Sequence, residues 1–151
     1  MDALGTLLKG KVGGHPAAAI LACADERVVP EIIFGRGPGE LFTVRLPGPI
    51  VTPEVAAALE MACARGCPGI LVLGHSDCRA IRCERERGLE HHSITSHISW
   101  ATRRLPRAAS LEEATAETVR HAVSELRSRL RARVEGAVFD LQAGHLRAIA
   151  C

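Results

Sequence analysis

Residues Ile70–Cys78 read Ile-Leu-Val-Leu-Gly-His-Ser-Asp-Cys, and the remainder of the chain is arranged around them. Ile70–Leu73 followed by Gly74 is a short apolar run closed by glycine, the pattern of a buried parallel strand. His75 and Cys78 come where such a strand gives way to the next helix, at the carboxyl edge where open α/β sheets collect ligands. Ala17–Cys23 has the same form and runs into Ala24-Asp25-Glu26-Arg27. Side by side, the two strands bring Cys23, His75 and Cys78 to one point. Two thiolates and one imidazole are three ligands of a tetrahedral zinc site, with the fourth position left for water or substrate.

Working outward, strand and helix signals alternate. Leu41–Arg45 is a strand bounded by Gly35–Gly39 and by Leu46-Pro47-Gly48-Pro49. Val28–Phe34 between them is a loop or a single helical turn. Thr52 before Pro53 predicts a helix start, and Gly66 its end. A further helix is expected from about Asp77 or Cys78 to Gly88, and another over His92–Leu105, ended by Pro106. Ser110-Leu111-Glu112-Glu113 is a capping box for the longest helix. Val134–Leu141, the turn Gln142-Ala143-Gly144 and His145–Ile149 read as a terminal strand, turn and strand. The fold class is therefore α/β, a mainly parallel β-sheet flanked by helices with a C-terminal hairpin. Met1–His15 is an arm with Leu4, Leu7 and Leu8 at helical spacing; residues 16–151 form one domain.

Composition narrows the function classes. A net charge of +2 forces no polyanionic partner. No apolar run reaches the roughly 20 residues of a membrane span, and Met1–His15 lacks a charged-then-apolar signal pattern. Six cysteines scattered among helices and strands do not form a secreted disulfide framework, so a reducing cytoplasm is expected, with thiols free for metal. Cys23-x-x-x-Arg27 is too short for the phosphate cradle of a thiol phosphatase. There is no Cys-x-x-Cys for a thioredoxin-like protein and no Gly-x-Gly-x-x-Gly for a dinucleotide site.

The chemistry of the converging residues can be argued directly. Two thiolates cancel the charge of Zn²⁺ and leave it a modest Lewis acid, yet a bound water must still reach hydroxide near neutral pH to attack an electrophilic carbon. Asp25, two residues past Cys23, can accept the hydrogen bond of that water and orient its lone pair. Arg27, two further on, can keep Asp25 ionised through paired N–H bonds.

Cys23-Ala24-Asp25-Glu26-Arg27 with Gly74-His75-Ser76-Asp77-Cys78 resembles the paired signature of the β-class carbonic anhydrases, Cys-x-Asp-Ser-Arg and Gly-His-x-x-Cys. Gly39–Arg45 is similar to their Gly-Asp-Leu-Phe-x-x-Arg strand, and Gly136–Asp140 with Gly144-His145-Leu146 to their C-terminal hairpin. The resemblance covers roughly Ala17–Ile149 and is to the compact microbial branch. It implies one Zn²⁺ per chain on Cys23, His75 and Cys78, with Asp25 and Arg27 in the catalytic roles above. The implied reaction is reversible hydration of CO₂ to bicarbonate and a proton. It also implies an edge strand on the parallel sheet, a homodimer or homotetramer with pockets lined partly by the partner, and an Asp25 that can leave Arg27 and close the fourth zinc position. Hydrolysis of carbonyl sulfide or carbon disulfide on the same core, or a non-catalytic zinc module, are the alternatives.

Four departures fall inside the motifs. Glu26 stands where the family has serine, and Leu46-Pro47-Gly48-Pro49 where it has Asn-Ala-Gly-Asn. Arg79 replaces a glycine, at a helix start where it could block the pocket or fix an anion. No tyrosine is present, and Gln142 is the only glutamine. Cys63 and Cys67, one helical turn apart, read as buried small residues, Cys83 as a plain helix cysteine, and Cys151 as uninformative. His91, His92 and His97 could shuttle protons but fit an exposed loop and helix better. Arg120, Arg127, Arg129, Arg131 and Arg133 read as a solvated helix face rather than a nucleic-acid surface.

Overall fold

The computed structural model describes residues 14–87 and 93–151. The expected Met1–His15 arm, apart from Gly14 and His15, and the histidines at 91 and 92 lie outside the described residues. Strand β1 (Ala18–Cys23) enters the middle of the sheet, followed by a one-turn helix α1 (Pro30–Ile33) and strand β2 (Leu41–Leu46). Helix α2 (Pro53–Ala64) leads to β3 (Ile70–His75). Helices α3 (Arg79–Arg87), α4 (Ser93–Thr102) and α5 (Leu111–Arg129) precede the closing strands β4 (Val134–Phe139) and β5 (Leu146–Ile149).

The sheet order is β2-β1-β3-β4-β5, so the Ile70–His75 strand is the central one. All pairings are parallel except β4 with β5, the expected antiparallel hairpin at the edge. Every residue of β1 and of β3 is buried. Strands covered on both faces need no polar alternation, which is why both read as continuous apolar runs.

Alternate residues divide between two cores. Ala19, Leu21, Ile70 and Val72 face Val55 and Leu59 of α2 and Val119, Val123 and Leu126 of α5. Ala18, Ile20, Ala22, Leu71 and Leu73 form the opposite face with Val28, covered by Ile33, Phe34, Phe139 and Leu146. Both long helices therefore cover one face, while α1 and the hairpin close the other. Their starts are set locally. The Thr52 side chain accepts from the Val55 amide at 3.3 Å with Pro53 at the first position. Ser110 and Glu113 complete the reciprocal capping box, at 3.1 Å and 2.7 Å. Cys67 is buried against the first core and Cys63 half-buried beside it, as expected of small core residues.

Among the arginines read as a solvated face, Arg120 pairs with Glu117, Arg129 with Glu125, and Arg127 and Arg133 with Glu135. Their charge is spent on neighbours in the same helix or the adjoining strand. No helix among the described residues is long and apolar enough to cross a membrane.

Candidate metal centre

Because β1 and β3 are adjacent and parallel, their last residues, Cys23 and His75, emerge at the same edge of the sheet. Cys78 follows His75 after a tight turn in which Asp77 takes a left-handed backbone, φ +53°. The turn is tied to β4, since the Ser76 amide donates to the Phe139 carbonyl at 2.9 Å and the Leu141 amide to Ser76 Oγ at 2.9 Å. The three predicted ligand atoms all lie within 4.8 Å of one another. His75 and Cys78 are fully buried and Cys23 nearly so. Ile50, Ile81, Ile98 and Ala114 pack around the two thiols.

Two observations bear on whether a metal fits. The Sγ atoms of Cys23 and Cys78 are 3.9 Å apart; two thiolates at about 2.3 Å from a shared tetrahedral ion would lie about 3.8 Å apart. His75 Nδ1 lies 2.9 Å from the Ser76 carbonyl, a contact that can only be an N–H donation, so Nε2 carries the free lone pair. That Nε2 is buried and has no hydrogen-bond partner. A buried acceptor without a donor is costly unless a ligand completes it. The residues fit a thiophilic divalent cation.

The thiols are electrostatically unequal. The Cys78 thiol donates towards Cys23, and this bond, with further help from the Gly48 amide, pulls Cys23 down to about 4 against the cost of burial. The neighbouring Cys23 thiolate and burial push Cys78 up. At neutral pH the pair therefore holds one proton, which a bound cation would displace. Zinc uptake by the metal-free protein should release about one proton per ion, rather than the two of a pair of ordinary thiols. Calorimetric titration in buffers of different ionisation enthalpy measures this, and release of two would mean Cys23 starts protonated.

Asp25 and Arg27 pair as the spacing suggests. Arg27 Nε donates to Asp25 Oδ1 at 2.8 Å and Nη2 to Oδ2 at 2.7 Å, and the Arg27 amide adds a bond to Oδ1 at 3.1 Å. This fork holds the Asp25 carboxyl well below the usual carboxylate range. The carboxylate is 3% exposed, and its Oδ2 lies 4.0 Å from His75 Nε2. It sits beside the ligand cluster while remaining bound to Arg27.

Other contacts were not read from the sequence. Arg45 of β2 donates from Nε to the Cys23 carbonyl at 3.0 Å and from Nη2 to the Asp25 carbonyl at 2.6 Å, bracing the first ligand loop. The Gly48 amide donates to Cys23 Sγ at 3.3 Å. Between two prolines, Gly48 has the only amide hydrogen in Pro47-Gly48-Pro49, so this departure from the family pattern keeps a donor to the sulfur. Arg79 carries its charge to Glu26, Nη1 to Oε1 at 2.6 Å, with both side chains largely exposed. The two motif departures thus meet each other. His97 is half-buried in α4.

A buried Cys₂His cluster with an arginine-held carboxylate, at the carboxyl edge of a parallel sheet, belongs to the α/β proteins built around a divalent metal. The chain belongs to the carbonic anhydrase family, whose model matches residues 18–146 and so spans both ligand loops and the start of the last strand. Carbonic anhydrase 2 of Mycobacterium tuberculosis is 43% identical over 70 residues, covering 46% of this chain and 34% of that protein. The carbonic anhydrase of Pseudomonas aeruginosa is 32% identical over 161 aligned positions, covering 89% of this chain and 73% of its own. The chain thus spans about a third of the length of the mycobacterial relative it matches. Among solved structures, the Coccomyxa β-carbonic anhydrase superposes with a TM-score of 0.78 at 22% identity, covering 97% of this chain and 78% of the other. A β-carbonic anhydrase of Sordaria macrospora, described as tetrameric, gives 0.75 at 21% identity, covering 99% and 86%. The fold is that of the β class.

Proposed function

We propose that this chain catalyses the reversible hydration of CO₂ to bicarbonate and a proton, with Zn²⁺ held by Cys23 Sγ, His75 Nε2 and Cys78 Sγ. The observation that carries this reading is the Asp25 carboxylate, locked on Arg27 with Oδ2 4.0 Å from the unpartnered His75 Nε2. Zinc bound there supplies a Lewis acid that brings the pKa of water towards neutrality. The chain's own residues supply the rest. Asp25, kept ionised by Arg27, accepts a hydrogen bond from the attacking water and aims its lone pair at the carbon. Arg27 compensates the buried charge and keeps the carboxylate an acceptor rather than a ligand. Ser76 fixes the His75 tautomer through its carbonyl. The Gly48 amide withdraws charge from the Cys23 sulfur, which favours the metal's Lewis acidity. Ile50, Ile81 and Ile98 give the thiols apolar surroundings, suited to a small uncharged substrate.

A permanently closed, non-catalytic site would want Asp25 as a fourth ligand, and its three bonds to Arg27 favour the open arrangement. The six cysteines are all free, which supports a reducing, cytoplasmic setting. The native unit in this reading is a homodimer or homotetramer, in keeping with the tetrameric Sordaria neighbour.

Stopped-flow CO₂ hydration on zinc-loaded protein tests the activity, at about pH 8.5, above the value to which zinc lowers the pKa of water. Cys23→Ser is the control. Turnover well above buffer, lost in Cys23→Ser, is expected. No turnover with one zinc bound per chain would overturn CO₂ as the substrate, and carbonyl sulfide would be tested next.

A further inference from the structure

Arg27 is bound on two sides. Beyond its fork on Asp25, Nη1 donates to Asp77 Oδ2 at 3.0 Å and Nη2 to the Asp77 backbone carbonyl at 3.1 Å. Four of the five guanidinium N–H groups are thus assigned, shared between a carboxylate of the first ligand loop and a residue of the second. Asp77 is in turn held through Oδ1 by Arg82 of α3. It is the only non-glycine residue with positive φ among the described residues. Asparagine and aspartate tolerate that region best after glycine. This backbone lets one residue present both its carbonyl and its carboxylate to one guanidinium.

We propose that Asp77 is a positioning residue, which pins Arg27 between the two ligand loops and so keeps the Asp25 carboxylate on Arg27 instead of on the metal. The inference rests on the reading of Asp25 and the metal given above. Without Asp77, the Arg27 side chain, 31% exposed, keeps only its bonds to Asp25 and can swing into solvent. The carboxylate it restrains is 4.0 Å from His75 Nε2, close enough for a side-chain rotation to bring an oxygen to the ion. The Arg79–Glu26 pair joins the same two loops in the opposite sense, arginine from the second and acid from the first. It is exposed and contributes little by itself, but it shows that both motif departures add a charge across the loop junction.

The test uses Asp77→Asn, which suits the left-handed backbone and removes the charge, and Asp77→Gly, which suits it and removes the carboxylate altogether. Both should lower kcat/KM for CO₂ by about tenfold with zinc content unchanged, the usual size of an outer-partner effect. In an Arg27→Ala background neither change should have further effect, because Asp77 acts through Arg27. A second readout does not depend on turnover: the visible spectrum of the cobalt-substituted protein, titrated with thiocyanate. If Asp25 moves onto the metal in Asp77→Asn, thiocyanate binds at least several-fold more weakly than in the unsubstituted protein. Equal losses with and without Arg27, or Asp77→Gly matching the unsubstituted protein, would overturn the proposal in favour of a turn-forming role. Unchanged thiocyanate affinity would overturn it too. Absence of CO₂ turnover in the unsubstituted protein would instead sink the proposed activity, and the thiocyanate titration would still decide the role of Asp77.

Discussion

Asp25→Asn should lower kcat/KM for CO₂ hydration by about 10²- to 10⁴-fold, the range for losing a positioned proton-accepting group, while the protein retains one zinc per chain. The amide has the carboxylate's shape but only one acceptor oxygen. At present Oδ1 takes two N–H bonds and Oδ2 a third, all from Arg27. If the amide keeps its oxygen on the Oδ1 side, its NH₂ group faces Arg27 Nη2, donor against donor, and presents a hydrogen rather than a lone pair towards His75 Nε2. The reverse orientation forfeits both Oδ1 bonds. The first orientation sets one donor against a donor and the second two, so the first is favoured and the acceptor facing the site is lost in it, whereas the Cys23, His75 and Cys78 ligand atoms are untouched. Metal analysis beside stopped-flow kinetics separates the two effects. Near-normal turnover in Asp25→Asn would show that the carboxylate takes no part in the reaction. Stability should also change with a definite sign. The folded Asp25 value lies below the unfolded one, so its contribution is complete above about pH 4 and is lost as pH falls further. Asp25→Asn should remove that acid-side slope from an unfolding curve measured against pH.

How much of this was legible in the sequence depended on the range of the interaction. The apolar runs of β1 and β3, the Thr52-Pro53 start and the Ser110–Glu113 box are local, so their physics is complete within a few residues. The Asp25–Arg27 fork is local too, since the two side chains are two positions apart. The Cys23, His75 and Cys78 cluster needed one topological step, that two similar strands lie side by side in parallel. The contacts that tune the site needed more than that. Arg45 reaches the Cys23 and Asp25 carbonyls because Ala22 and Cys23 register with Arg45 and Leu46 across β1 and β2. The Gly48 donation and the Arg27–Asp77 bridge depend on how loops far apart in sequence are folded back on each other. Arg79 looked from its position like an obstruction, since nothing local to it says that Glu26, on the other ligand loop, lies opposite. Gly74 read simply as the glycine that ends a strand; that a helix rests on it was invisible until α5 was placed.

That helix makes Gly74 the most sensitive backbone position near the site. Gly74→Ala should lower the free energy of unfolding by about 1–3 kcal/mol, the usual cost of overpacking a tight core, and weaken zinc binding as well. A Cβ at Gly74 would lie 2.7 Å from Val119 Cγ2, 3.1 Å from Thr115 Cγ2 and 3.4 Å from Val138 Cγ2. Val119 cannot turn aside. Its other methyl, Cγ1, would be 2.7 Å from a Cβ at Gly136 on the adjacent strand, and a β-branched side chain in a helix has essentially one χ1 well. The two glycines together form the seat for one valine, so α5 itself must lift. Lifting it disturbs Ala114, which packs with the two thiols, and strains the backbone of His75, the next residue along β3. Urea unfolding and competition for zinc with a chromophoric chelator would measure the two consequences. Val119→Ala supplies the internal check. Alone it opens a small cavity and destabilises, but combined with Gly74→Ala it removes the clash, so the double variant should be more stable than the sum of the single losses. A Gly74→Ala protein as stable as the parent, or single losses that simply add, would show that α5 does not rest on this strand at the close approach the structure gives.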